Sequence, residues 1–260
     1  MNLFDWQSTT FEIEEAGLET AILPLAACEQ HGPHLPVSTD QIIIDAISRR
    51  VAEALDMKLF LLPTLPLGTS ALHGEAPGTI WLGEETLYRV VYDLVESLYE
   101  HNIRTVAVIN NHGGATESTV IPRGNYIVKT AVRQLNYDYP DKKAIWVQPF
   151  TVAGEEMRHI FESAEEEIHA GEVETSILLH LAEELVKGRG QDYLPEKATK
   201  EYLDFASFAR IAPGGIWGRP GLASAEKGAE AFEAAVRATA AYIKQSFAHL
   251  DRMKVRYSNY

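Results

Sequence analysis

The chain has 260 residues, of which 46% are hydrophobic and 23% are charged. This composition predicts a single soluble domain, residues 1–260, with enough apolar material for a sizeable core. The formal net charge of -14 argues against a nucleic-acid or anionic-membrane partner, because such partners bind clustered Lys and Arg. The expected partner is therefore a small-molecule substrate.

The expected compartment follows from one cysteine and from the N-terminal segment. Cys28 is the single cysteine and cannot form an internal disulfide, so a reducing environment is expected. The first residues lack the basic start and apolar run of a signal peptide. No stretch approaches the roughly 20 apolar residues that span a bilayer. The sequence therefore predicts a cytoplasmic location.

Apolar runs typical of buried strands alternate along the chain with segments of helical periodicity. The predicted strands are Thr20–Leu25, Leu59–Leu62, Thr105–Asn110 and Lys143–Val147. The predicted helices are Asp40–Leu55, Glu84–His101, Glu174–Lys187 and Ala223–His249. This alternation predicts an α/β domain with a mostly parallel sheet.

Three potential metal ligands, Glu29, His31 and Asp40, lie between the first of these strands and the helix that follows it. In open α/β sheets, ligands bind outside the carboxyl ends of the strands, so this position suits a functional site. Glu29 and His31 are two residues apart, so in extended backbone their side chains leave the same face. Histidine nitrogens and carboxylate oxygens are common ligands of divalent ions.

Two further segments carry residues of the same types. His112 follows the strand Thr105–Asn110 and precedes two glycines, which let backbone approach a ligand closely. His169, Glu172 and Glu174 lie at the start of a predicted helix. The three segments together predict a metal site.

Each residue alone has a simpler interpretation. A lone histidine after a strand, such as His31 or His112, is more often a hydrogen-bonded loop residue than a metal ligand. Asp40, Glu172 and Glu174 fit helix starts, where the helix dipole favours acidic side chains. The metal-site hypothesis therefore rests on the combination.

Four motifs, in this order along the chain, resemble those of the creatininase family. They are Glu29-Gln30-His31-Gly32-Pro33-His34-Leu35-Pro36 with Thr39-Asp40, then Pro77-Gly78-Thr79, then Asn111-His112-Gly113-Gly114, and finally His169-Ala170-Gly171-Glu172-Val173-Glu174-Thr175-Ser176. The motifs are long and specific, and the length of the chain also matches the family.

The resemblance implies a three-layer α/β/α fold, two divalent ions of zinc, manganese or iron, and a homo-oligomer, often a hexamer. Glu29, Asp40 and His112 would then hold one ion. His31, Asp40 and a glutamate would hold the other, so that Asp40 bridges the pair. In creatininase proper that glutamate stands two residues after the equivalent of His112, where this chain has Gly114. Glu172 is therefore expected to be the fifth ligand.

The resemblance also implies hydrolysis of an amide by a water molecule activated between two divalent ions. His169 is expected to be catalytic, either by transferring a proton to the leaving nitrogen or by orienting Glu172. Glu172 is also expected to be a catalytic residue. Glu174 is expected to cap or orient its helix. Ser70, His73, Gly113 and His169 are the expected substrate-binding residues. Trp81, Phe150 and Trp217 are further candidates for pocket walls.

The substrate-facing positions depart from creatininase proper, which has a Trp-Asp pair and a tyrosine where this chain has Glu165-Glu166 and Gly113. The expected substrate is therefore another non-peptide amide or a formamide, cyclic ones included. Family branches also include a peptidase that trims a redox-peptide precursor, so peptide hydrolysis is an alternative. Two further alternatives are metal-dependent chemistry on a sugar-like or inositol-like ketone, and a catalytically inactive metal-binding protein.

Overall fold

Five parallel strands form one sheet in the computed structural model, which describes residues 3–112, 123–196 and 198–252. The strands are β1 (Leu3–Asp5), β2 (Thr20–Leu25), β3 (Leu59–Leu61), β4 (Thr105–Asn110) and β5 (Lys143–Val147), in the spatial order β1-β3-β2-β4-β5. All of their pairings are parallel. The predicted α/β class is thus confirmed.

Helices lie along the chain between and after these strands. They are α1 (Thr10–Ala16), α2 (Thr39–Leu55), α3 (Glu84–Glu100), α4 (Arg123–Asp138), α5 (Pro149–Val152), α6 (Gly154–Ile160), α7 (Glu172–Leu181), α8 (Phe208–Ile211) and α9 (Ala225–Arg252). Short 3-10 helices occupy Ala71–His73, Glu183–Leu185, Lys200–Asp204 and Pro220–Leu222. Within the described ranges, no helix is both long and apolar enough to cross a membrane.

The two faces of the sheet contact two separate hydrophobic cores. In β2, Ile22 packs into the core that contains α2 and α9, whereas Leu23 packs into the core that contains α3 and α4. β4 repeats this alternation with Ala107 and Val108, because successive side chains of a strand point to opposite faces. Helices therefore cover both faces, and the expected three-layer arrangement is confirmed.

The main differences from the predicted elements are the bounds of α7 and the elements that were not predicted, which include β1 and the 16-residue helix α4. α7 begins at Glu172, two residues before the predicted start, and ends at Leu181 instead of continuing to Lys187. β1 was not predicted, because its three residues carry too short a pattern to recognise. It forms by pairing with the edge of β3, which is a tertiary contact.

Candidate metal centre

The carboxyl ends of β2 and β4 bring two of the predicted segments together. Leu25 and Asn110 are paired in the last register position of these strands. The loop after β2 is held by hydrogen bonds from the amide of Glu29 to the carbonyl of Val37 (3.1 Å) and from the amide of Ile80 to the carbonyl of Cys28 (2.9 Å). This loop and the residues that follow β4 thus meet at one edge of the sheet.

Four predicted ligands, Glu29, His31, Asp40 and His112, are buried together at this edge. His112 Nδ1 lies 3.3 Å from Glu29 Oε2 and 3.7 Å from Asp40 Oδ2. His31 Nε2 lies 3.9 Å from Asp40 Oδ1 and 3.8 Å from Glu174 Oε1. The two oxygens of Asp40 therefore face two different histidines, and each histidine has a second carboxylate beside it.

These distances and the surrounding hydrogen bonds fit a divalent ion on each side of Asp40. Two ligand atoms on one tetrahedral ion with bonds of about 2.1 Å lie about 3.4 Å apart. Glu29 Oε2, His31 Nε2 and Asp40 Oδ2 are buried and have no hydrogen-bond partner among the described residues. His31 Nδ1 donates to the main-chain carbonyl of Glu29 (3.0 Å), which directs Nε2 toward the carboxylates, where it can bind an ion once its own proton is displaced.

The electrostatics of the cluster also favour bound cations. Burial disfavours a charged His31, but the negative charges of Glu174, Asp40 and Glu29 outweigh it and raise the pKa of His31 to about 10. Burial likewise opposes ionisation of Glu174, yet His31 lowers the pKa of that carboxyl to about 2. Buried carboxylates thus hold protons on nearby imidazoles, and metal binding would displace those protons.

Glu172 is oriented away from this cluster, contrary to the expectation that it is the fifth ligand. Its Oε2 accepts from the amide (2.9 Å) and the hydroxyl (2.8 Å) of Ser163, and its Oε1 accepts from Lys227 Nζ (2.5 Å). Residues two apart in a helix lie about 200° apart around its axis, so Glu172 and Glu174 cannot share a face of α7. The geometry therefore favours Glu174 over Glu172 as the candidate fifth ligand.

His169 stands beside the cluster. Its Nε2 donates to the main-chain carbonyl of Gln30 (2.6 Å), and its Nδ1 lies 3.8 Å from Glu29 Oε1. Burial, together with nearby His31 and His73, lowers the pKa of His169 to about 3. Two main-chain hydrogen bonds with Trp217 hold this segment in place. His169 is thus a neutral imidazole with its hydrogen on Nε2 and its lone pair on Nδ1.

The other predicted substrate-binding residues have different surroundings. His73 lines an open cleft of about 260 Å³. Ser70 is fully buried, and its hydroxyl has no hydrogen-bond partner among the described residues. Gly113 lies outside the described residues.

The three candidate wall residues also differ from one another. Phe150 packs in the hydrophobic core on α5. Trp217 packs against Phe208. Trp81 is 44% exposed and lies next to Gly74. None of the three is among the residues that line the cleft in the described part of the chain.

Two residues that contact the site were not predicted from the sequence to have a role there. Gln30 lies inside the first motif and contacts both His73 and His169. Phe208, on α8, packs against the same two rings, tilted toward His73 and edge-on to His169, with centroid distances of 4.6 and 5.1 Å. The position of Gln30 between two predicted ligands was a usable signal, whereas Phe208 comes from a distant segment without a recognisable motif.

Comparison with known proteins gives consistent results over most of the chain. A family model described as Creatininase, creatinine amidohydrolase, matches residues 6–243. A mycofactocin precursor peptide peptidase from Mycobacterium ulcerans (strain Agy99) is 32% identical over 221 residues, covering 81% of this chain and 79% of that protein. A creatinine amidohydrolase from Pseudomonas putida is 29% identical over 245 residues, covering 89% of this chain and 91% of that protein.

Solved structures show the same similarity. A crystal structure of creatinine amidohydrolase (creatininase) has a TM-score of 0.77 and 25% sequence identity, covering 94% of this chain and 97% of that one. A structure entitled "Creatininase Mn" has a TM-score of 0.76 and 25% identity, covering 94% of this chain and 98% of that one.

Proposed function

The chain belongs to the creatininase family, and we propose that it is a hydrolase that cleaves an amide C–N bond at a centre of two divalent ions. One ion would be held by Glu29, Asp40 and His112, and the other by His31, Asp40 and Glu174. The observation that carries this proposal is the placement of Asp40, whose two oxygens face His112 at 3.7 Å and His31 at 3.9 Å.

The described residues supply the parts that such a reaction needs. Divalent ions, when bound, lower the pKa of water and stabilise negative charge on a carbonyl oxygen. Nδ1 of His169 faces the carboxylate cluster without a proton, so it can take a proton from water and pass it to the leaving nitrogen. The hydrogen bond from its Nε2 to the carbonyl of Gln30 fixes the ring in this orientation.

For the substrate, we favour a short peptide. The relative with 32% identity is named a peptide peptidase. The cleft beside His73 is open and is lined mostly by small or apolar residues, among them Phe208, Ala212 and Pro213. Its volume of about 260 Å³ is near the lower limit for ligand sites, so it suits a small uncharged group next to the scissile bond.

A non-peptide amide is the second candidate, and it is the substrate class that the sequence favoured. The relative with 29% identity is named a creatinine amidohydrolase, and the similarity to it extends over 89% of this chain. Both candidates require the same bond cleavage and the same metal centre.

The proposal is tested by hydrolysis assays on protein freed of metal and then reloaded with zinc, manganese or iron. The substrates are short peptides with apolar residues, cyclic amides and formamides, and the product amine is measured. We expect metal-dependent release of an amine from one of these classes. Metal-loaded protein that hydrolyses none of them would refute amide hydrolysis.

The metal centre is tested by elemental analysis. We expect close to two ions per chain, and Asp40→Ala should lose most of both, because each ion would lose one ligand. A single ion that persists in that variant would contradict the bridged pair. Asp45→Ala is the matched control, since Asp45 lies on the same helix and contacts Thr64 instead of the cluster.

A further inference from the structure

The side-chain amide of Gln30 is oriented by two neighbours. Its Oε1 accepts the main-chain N–H of Gly32 (2.9 Å), and its Nε2 lies 2.8 Å from Nδ1 of His73. The opposite orientation of the amide would direct its NH2 group at the N–H of Gly32, so that two donors would face each other. The hydrogen bonds therefore require that Gln30 donates to His73.

This donation determines which nitrogen of His73 carries the proton. Nδ1 accepts from Gln30, so the hydrogen of the neutral ring is on Nε2. Nε2 lies 3.7 Å from Glu29 Oε1, and His73 also lines the open cleft. His73 therefore presents an N–H donor at the border between the cleft and the metal cluster.

His169 presents a hydrogen-bond acceptor, not a donor, to the same oxygen, Glu29 Oε1. Its Nε2–H donates to the main-chain carbonyl of Gln30 (2.6 Å), and its unprotonated Nδ1 lies 3.8 Å from Glu29 Oε1. The rings of His73 and His169 have centroids 4.5 Å apart. One residue, Gln30, thus contacts both rings, and the two rings present a donor and an acceptor side by side.

The surroundings keep Gln30 in this position. Its main-chain N–H donates to the hydroxyl of Thr79 (3.1 Å). A Cβ atom at Gly215 would overlap with Oε1 of Gln30, and Gly215 also has a positive φ of 72°. Glycine at position 215 therefore allows the loop before Ile216 to close over the side chain of Gln30.

We propose that Gln30 is a positioning residue that makes His73 a hydrogen-bond donor and His169 a proton acceptor in the same reaction. This inference rests on the proposed function. The oxygen of water forms the new bond to the carbonyl carbon, and Nδ1 of His169 takes one of its protons. Nε2–H of His73 donates to the carbonyl oxygen as negative charge develops there. The C–N bond then breaks, and the proton on His169 goes to the leaving nitrogen.

The proton positions are tested by NMR of protein labelled with ¹⁵N-histidine, metal-free and loaded with zinc. His73 signals are assigned by their loss in His73→Gln. We expect an unprotonated Nδ1 and a protonated Nε2 on His73 in the wild type. In the nearly isosteric Gln30→Glu variant, the carboxylate requires a donor, so Nδ1 of His73 should become protonated.

Three NMR outcomes would overturn the proposal. They are a proton on Nδ1 of His73 in the wild type, unchanged His73 signals in Gln30→Glu, and zinc binding to Nε2 of His73. Glu29, His73 and His169 lie close enough to hold an ion, so the last outcome would instead indicate a separate metal site at these three residues. These readouts do not depend on turnover, so they remain decisive even if no amide substrate is found.

The role of the donor is tested with His73→Phe and His73→Gln, using whichever amide the hydrolysis assays show to be cleaved. Phenylalanine keeps the ring packed on Phe208 but removes the N–H, and we expect kcat to fall about 100-fold with little change in KM. Glutamine restores an N–H donor and should recover about tenfold of that loss. Both variants should keep two ions per chain. A His73→Phe variant that is more active than His73→Gln would show that the ring matters only for packing, and equal activity of the two would show that the N–H has no role; either result would overturn the donor role.

Discussion

At the scale of single residues, two glutamates two positions apart in α7 have different surroundings. Glu174 Oε1 faces His31 at 3.8 Å, and its Oε2 accepts the amide N–H of Ala170 (2.6 Å). Glu172 binds Ser163 and Lys227 on the other side of the helix. One glutamate thus faces the metal cluster, while the other joins α7 to α9.

Metal content should therefore respond to the two glutamates differently. Glu174→Gln should lose one of the two expected ions and at least about 100-fold in kcat, because an amide is a weak ligand in place of a carboxylate. Glu172→Gln is the matched control and should retain both ions. Elemental analysis of both variants checks this, and loss of an ion from Glu172→Gln alone would restore Glu172 as the ligand.

Stability should depend on Glu172 in a particular pH range. Burial opposes ionisation of Glu172, but hydrogen bonds from Lys227 and Ser163 outweigh it and lower the pKa below 4.5. A carboxyl with a lowered pKa stabilises the folded state above its unfolded pKa, and that stabilisation is lost as the pH falls through the folded pKa.

Glu172→Gln should lower the free energy of unfolding by about 2 kcal/mol at pH 7, because charge-assisted hydrogen bonds are lost. Urea unfolding at pH 7 and pH 4 measures this, and the difference between variant and wild type should shrink at pH 4. A difference that grows on acidification would contradict the sign of the shift.

At the scale of elements, α7 and α9 approach each other at a glycine. A Cβ atom at Gly228 would overlap with the main-chain carbonyl of Ser176. A methyl group here cannot be accommodated by moving one side chain, because the contacted atoms are backbone. The two helices would have to separate, and α7 carries Glu174.

Gly228→Ala should therefore destabilise the fold by about 2 kcal/mol or more and weaken metal binding. Gly154→Ala is the matched control. Gly154 is the first residue of α6, and its Cβ would meet only Arg158 at 3.9 Å, so alanine should be tolerated there. Thermal unfolding of both variants checks this. Similar melting temperatures would show that the contact between the helices is loose.

The start of α7 is also organised by contacts from another segment. Glu167 accepts the main-chain N–H groups of Glu172 (2.6 Å) and Val173 (3.0 Å), which are free at the first turn of a helix. Gly171 and Gly218 leave room for the side chain of Glu167. This capping starts α7 at Glu172 and thereby sets which glutamate faces His31.

At the scale of the whole molecule, the candidate metal centre concentrates negative charge in a chain that already carries a net charge of -14. Glu29, Asp40 and Glu174 are three carboxylates in one cluster. Their mutual repulsion is relieved by protons on His31 and His112 or by divalent ions. Metal binding should therefore stabilise the entire fold.

Loading the metal-free protein at a free ion concentration of about 100 times Kd should add about 2.7 kcal/mol for each ion bound. For a chain of this size, each ion then corresponds to a rise of roughly 5 to 10 °C in Tm. Calorimetry with and without a chelator measures the rise, and Asp40→Ala should show little of it. An equal rise in Asp40→Ala would place the stabilising ions elsewhere.

The expected homo-oligomer stays a prediction, which light scattering tests.

The sequence by itself determined the α/β class, four of the five strands, and the grouping of Glu29, His31, Asp40 and His112. These depend on local patterns: buried strands are continuous apolar runs, and ligands that follow strands must meet at the carboxyl edge of a parallel sheet. Only the tertiary structure shows that Glu174, and not Glu172, is directed at this group, because that depends on the rotation of α7 set by Glu167, Ser163 and Lys227. The contacts of Gln30 with His73 and His169 also depend on the tertiary structure, because these residues are far apart in the sequence and meet only in the folded chain.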